Sequence, residues 1–202
     1  MRLLLISILL LIYSNLLAQD LSVSTITSEI FNEEKFKTSL LFAEEDSNGD
    51  IYIVRDFLSS YAAPKGYYLE HYDKNLNLLK KTSLEINNSE LRGMFLFEDE
   101  VRLIEFRYIQ KEKRYGFVEL QLKKSDFSIS ETELISIDRA EIKKYDHYGI
   151  RKELDFGTLR IFNFGDVIIS ENKKIFALQL YKKEKRGLSF YVKTFRANFE
   201  EL

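Results

Sequence analysis

The chain has 202 residues, with 30 basic side chains against 32 acidic ones, a net charge of −2 and no cysteine. A balance this even lacks the basic excess of a nucleic-acid binder. The missing cysteine excludes a lipid-modified cysteine, structural disulfides, thiolate metal sites and cysteine nucleophiles.

The N-terminus reads as a secretory signal. Arg2 supplies a positive charge, Leu3 to Tyr13 is an apolar run broken only by Ser7, and Tyr13-Ser14-Asn15-Leu16-Leu17-Ala18 is more polar and ends in a small residue. That order predicts cleavage after Ala18. Residues 1–18 are then a signal peptide and 19–202 a single exported domain, in the periplasm, at the cell surface or in the medium. No later apolar run is long enough to span a bilayer. Downstream, Ile51-Tyr52-Ile53-Val54, Tyr67-Tyr68-Leu69, Phe117 to Leu122 and Leu188 to Val192 alternate as half-buried strands do. Helical periodicity is weak, with residues 28–37 and 139–153 the best candidates.

Sliding the chain by 72 residues lays 94–130 on 166–202 without a gap. Leu103-Ile104 falls on Ile175-Phe176, Lys111-Glu112-Lys113-Arg114 on Lys183-Glu184-Lys185-Arg186, and Phe127 on Phe199. Val118 and Leu120 fall on Phe190 and Val192, in phase. A looser copy begins at Leu40, passes the turn Asp46-Ser47-Asn48-Gly49-Asp50, and continues through strands at 51–56 and 67–72. Residues 78–86 and 129–137 supply a fourth strand to the first two units. The expected fold is all-β and mainly antiparallel, with about three four-stranded units of the size of propeller blades. The alternative is a β-sandwich.

Gly49-Asp50-Ile51-Tyr52-Ile53 and Tyr67-Tyr68-Leu69-Glu70-His71-Tyr72-Asp73-Lys74-Asn75-Leu76 resemble blade segments of exported bacterial β-propeller proteins of unassigned function. The resemblance covers residues 40–137 and 166–202 and implies no catalytic residue. A closed propeller needs at least about 4 blades. Residues 138–165 interrupt the spacing, and the third unit stops at Leu202 before a fourth strand. A strand near Leu21 to Ile30 then completes that unit, or the propeller is open.

Asp46, Asn48 and Asp50 are spaced like alternate calcium ligands, but the glycine and glutamate of an EF-hand are misplaced. An Asn48-Gly49 hairpin turn, with positive φ at both central positions, is the favoured reading. His71 and His147 are the only histidines, too few for a zinc site without carboxylates. Glu44, Glu45, Asp46, Glu98, Asp99, Glu100 and Glu171 crowd the first turns of the three units and could supply a glycosidase pair only if they converge. The two basic tetrads read as charged hairpin tips. Asn87-Asn88-Ser89 is a glycosylation sequon. Neither a serine-nucleophile elbow nor a phosphate-cradling glycine loop is present. The expectation is therefore an exported, non-enzymatic β-repeat domain that binds a ligand or a protein or glycan partner, or acts as a scaffold, with no cofactor and no metal. The alternative is an extracellular hydrolase of a polysaccharide-type substrate working through the acidic turns.

Overall fold

The computed structural model describes residues 25–27, 38–58, 64–85, 89–142, 165–184 and 187–202. The expected signal peptide, the helix over 28–37, His147 and Asn87 lie outside them; of the strand expected near Leu21 to Ile30 only residues 25–27 are described, and they are not in a strand. Of the helix expected over 139–153, the described part is one turn, α1 (Arg139–Ile142).

Each sheet is a meander, so every strand pairs antiparallel with its sequence neighbour. The first sheet holds β1 (Thr38–Glu45), β2 (Ile51–Leu58), β3 (Pro64–Tyr72) and β4 (Leu78–Glu85). The second holds β5 (Ser89–Leu96), β6 (Glu100–Ile109), β7 (Arg114–Lys123) and β8 (Ile129–Asp138). The third holds β9 (Gly165–Ile169), β10 (Ile175–Glu184) and β11 (Gly187–Arg196). The fold is all-β, in three antiparallel sheets of four, four and three strands.

The sheets stack face to face with the second in the middle. Side chains of a strand alternate between faces, so β6 sends Val101 and Leu103 one way and Ile104, Phe106 and Tyr108 the other. The first pair packs with Val118, Leu120 and Leu122 against Tyr52, Val54, Tyr67 and Leu69 of the first sheet. The second set packs with Tyr115 and Phe117 against Phe176, Leu178, Leu180 and Phe195 of the third. A strand covered on both faces must be apolar almost throughout, which is why β6 and β7 lose clean alternation. Each Val, Leu or Phe so buried contributes roughly 1.5–3 kcal/mol.

The inner strands β1, β5 and β9 are successive neighbours, and Lys173 in the turn before β10 pairs with Glu44 of β1. The three sheets therefore adjoin along the β1, β5 and β9 edge, an arrangement consistent with a propeller-like fold or a sandwich. The third and fourth strand positions are joined by like turns. Leu76, Phe127 and Phe199 each hold a positive φ (63°, 57° and 69°), and each donates its N–H back to Asp73, Lys123 or Arg196. In the third sheet Glu201 then bridges Phe195, and the Leu202 N–H donates to the Thr194 carbonyl at 2.9 Å.

The register revises the 72-residue alignment. Met94 opposite Leu103 corresponds to Val167 opposite Leu178, and Leu103 opposite Leu120 corresponds to Leu178 opposite Lys193. Val118 therefore matches Tyr191 rather than Phe190. Val118 and Leu120 face the first sheet, whereas Phe190 and Val192 face away from the second. The matching strands lie 73 residues apart for β5 and β9 and for β7 and β11, so a slide of 72 sets each on the wrong face; β6 and β10 lie 75 apart because the turn between Leu96 and Val101 is two residues shorter than that between Ile169 and Phe176.

Candidate functional site

The acidic turn before β2 is a closed structure. Asp46 accepts the Asn48 N–H (2.9 Å) and the Asp50 N–H (3.2 Å) on Oδ1, and its Oδ2 meets Lys124 Nζ of the second sheet at 2.7 Å. Burial alone would raise the Asp46 carboxyl, but the Lys124 ammonium and the two backbone donors outweigh it and hold the group below its ordinary value. Asp50 turns elsewhere, to His71 Nε2 at 2.9 Å. His71 lies flat on Tyr52, ring centroids 4.3 Å apart, and Lys124 Nζ sits 4.7 Å from the same ring. Burial, with Asp46 and Asp50 nearby, pushes the Tyr52 hydroxyl up to about 12.

The Asp46 and Asp50 carboxylates therefore point at separate partners, Lys124 and His71. Among the described residues no group of three or more His, Asp or Glu side chains could hold a metal ion. The turn expected at Asn48-Gly49 is present, with a difference. Gly49 alone has positive φ (83°), and its N–H donates to the Asp46 carbonyl at 3.0 Å. The Asp46 carboxylate, by tying down two backbone donors, replaces the mirror-image hairpin turn.

The turns before β2, β6 and β10 share one end of the stack, as Lys124 shows by reaching Asp46 while its N–H donates to the Asp99 carbonyl at 2.8 Å. Three of the seven acids singled out there are matched with cations. Glu44 pairs with Lys173, Asp46 with Lys124, and Glu100 with Arg102 at 2.9 Å. A glycosidase pair needs one carboxyl that keeps its proton, and Asp46 is held ionised. The tetrad 111–114 forms the hairpin tip expected, with Lys113 at φ 54° and Arg114 forked onto Glu133 at 3.2 Å.

Three buried acids had no counterpart among the sequence candidates. Glu70 on β3 is fully buried, held by Arg55 Nε at 3.0 Å, by the Tyr72 hydroxyl donating at 3.1 Å, and more loosely by Lys81. Glu119 takes Arg102 Nη1 at 3.1 Å and the Gln121 amide at 3.0 Å. Glu105, facing the first sheet, pairs with Arg107 Nε at 2.8 Å. Burial pushes its carboxyl up, against the pull of Ser89 and Arg107. Each sits mid-strand between apolar neighbours, where alternation assigns it a solvent face. The available signal is the arginine two residues from Glu105 and cross-strand from Glu70.

The outward face of the third sheet is different. Ile168 is 56% exposed, Phe190 57% and Val192 49%, and Ile175 is exposed beside them. Phe190 meets Tyr181 across the strands, ring centroids 5.4 Å apart. Gln179 and Asp166 share this face in the row of Val192, and several exposed apolar side chains on one sheet face mark an interaction site more often than single scattered ones do.

Comparison with protein-family models, curated proteins and solved structures returns no match. Among the described residues, no helix is long and apolar enough to cross a membrane.

Proposed function

We propose that the chain is an exported, non-enzymatic β-domain that binds or scaffolds another protein through the outward face of its third sheet. One observation carries this reading. An apolar sheet face bearing Ile168, Ile175, Phe190 and Val192 lies in solvent, although such a face gains roughly 25 cal/mol per Å² when covered. Export is supported by the charge, apolar run and small-residue order of residues 1–18.

The test uses the absence of native cysteine. A single Val192→Cys variant reports on this face alone. Maleimide labelling in cells producing the variant should be at least tenfold slower than in the same chain unfolded in urea. Equal rates would mean that the face meets solvent in its working state, and would overturn the reading.

A further inference from the structure

The outer edge of the third sheet is built unlike those of the other two. In the first and second sheets the third strand is covered by a fourth, β4 or β8. Both of these outer strands carry the usual defences of an edge, which are charged side chains and a break in register. β4 bears Lys80, Lys81 and Glu85, and its pairing with β3 shifts between His71 and Tyr72. β8 bears Glu131, Glu133 and Asp138, and its pairing with β7 shifts between Phe117 and Val118.

β11 is the outer strand of the third sheet. Its ten pairs with β10 run from Gly187 to Arg196 without a shift. Between Gly187 and Lys193 the one charged residue is Lys193, and Glu201 of the same chain takes its ammonium at 2.8 Å. Phe190, Tyr191 and Val192 are 57%, 43% and 49% exposed, so large apolar side chains meet solvent on both faces of one strand. At the matching place in the second sheet, Phe117, Val118 and Glu119 are buried.

One hydrogen bond gives the direction of the backbone. The Thr194 carbonyl accepts the Leu202 N–H on the outer side of β11, and the backbone groups of a paired strand turn to opposite sides at successive residues. Leu188, Phe190 and Val192 therefore turn their N–H and C=O groups outward, as Thr194 does. Among the described residues only the tail from Glu200 to Leu202 pairs with that side, and it stops at Thr194.

We infer that a second copy of the chain supplies the missing strand, with β11 pairing antiparallel to β11 of the other copy about a two-fold axis at Phe190. The open run is bounded by the hairpin pair Glu184–Gly187 at one end and by Leu202 on Thr194 at the other. The symmetric register that uses this run sets Phe190 opposite Phe190 and Leu188 opposite Val192, with about six new backbone hydrogen bonds. Moving the axis to Tyr191 would drive Leu188 into the place that Leu202 occupies. Tyr181 and Phe190 are already cross-strand partners, rings 5.4 Å apart. The contact extends them into a row of four aromatic side chains, a pairing that stabilises neighbouring strands. Self-pairing of β4 or β8 would instead bring Lys80 and Lys81, or Glu131 and Glu133, near their own copies. Both copies use the same edge, so the assembly closes at two and leaves no open end to grow. The two outward faces then lie side by side in one continuous sheet. The inference goes beyond the binding reading, which uses the face, and does not depend on it.

The purified chain is measured by light scattering after size exclusion, and single-cysteine variants are oxidised, since no native thiol interferes. The expected mass is twice that of one chain. Phe190→Cys should form a disulfide-linked dimer, its two Cα atoms lying about 5.5 Å apart across the axis. Ile168→Cys, on the same face but two strands inward, would lie more than about 20 Å from its copy and should not. Val192→Pro removes an N–H that only the second copy accepts, and Phe190→Lys sets two ammonium groups together. Each should halve the mass and keep the β spectrum. The amides of Phe190 and Val192 should exchange with solvent at least tenfold faster in the Phe190→Lys chain than in the parent. Single-chain mass over a hundredfold concentration range overturns the inference. So does a dimer that cross-links through Ile168→Cys, which would join face to face, or one that survives both Val192→Pro and Phe190→Lys. The binding reading is judged separately, by Val192→Cys labelling in cells.

Discussion

Lys124 and Asp46 are 78 residues apart in the chain and 2.7 Å apart in the structure, and their contact ties the second sheet to the first at the turn end. The side chains are only 12% and 7% exposed, so removing one partner leaves a poorly solvated charge. Asp46→Asn or Lys124→Met should each cost about 2 kcal/mol, with a clear coupling term in a double-mutant cycle. The folded Asp46 is more acidic than the unfolded one. Its contribution is therefore complete above the ordinary value of 3.8 and is lost as pH falls through the lower folded value. Asp46→Asn should flatten the acid limb of the stability profile, read from urea midpoints.

Glu105 has the opposite sign. Burial makes the folded carboxyl hold its proton to higher pH than the unfolded one does. The folded state therefore loses stability as pH rises from the unfolded value through the folded value. Glu105→Gln should remove that decline, because Arg107 keeps Glu131 at 2.9 Å. A variant whose urea midpoint falls with pH as steeply as the parent's would contradict this assignment.

Positive φ is a cost that glycine relieves, but only where the side chain does nothing else. Lys113 is exposed at the hairpin tip with φ 54°, and Lys113→Gly should raise stability by about 0.5–1 kcal/mol. Phe199 has the same backbone strain at φ 69°, yet its ring packs on Phe176 at 4.9 Å and Phe95 at 5.5 Å. Phe199→Gly should lower stability by about 2–3 kcal/mol. Thermal melts of the two variants should move in opposite directions.

Gly116 of β7 lies opposite Ser136 of β8. A Cβ there would stand 2.7 Å from the Ile135 carbonyl oxygen, a backbone atom that cannot rotate away. Gly116→Ala should destabilise by about 1–3 kcal/mol, and differential scanning calorimetry would register it as a lower melting temperature.

The strands were legible where one face is apolar and the other polar, as in Phe117 to Leu122 and Ile51 to Val54. The sheets themselves were legible as a recurring order of strands and turns. Register was not. It depends on pairing between strands, and an offset wrong by a single residue, 72 where the register gives 73, moves every side chain to the other face. The alignment of Val118 with Phe190 therefore pointed both inward, when only the first is inward. Asp46, Asn48 and Asp50 were recognisable as a turn. That Asp46 serves Lys124 depends on stacking between sheets and leaves no trace in local spacing. Glu70, Glu105 and Glu119 were hidden for a related reason, since a charge inside a strand reads as a wet face unless its arginine is known to be opposite.

The meander order of the sheets bears on how the chain acquires its structure during synthesis. Pairing joins only sequence neighbours, so each sheet closes through short loops and can form quickly once it has emerged. None can stand alone for long, because a lone sheet keeps an apolar face in water. The first sheet must wait for β6 and β7 before Tyr52, Val54 and Leu69 are covered, and those strands in turn expose Phe106 and Phe117 until β10 arrives. Folding is thus a relay in which each new sheet shelters the last and renews the exposed surface. The chain remains most vulnerable to misassociation at its newest end throughout, and Phe190 and Val192 inherit that position in the finished domain.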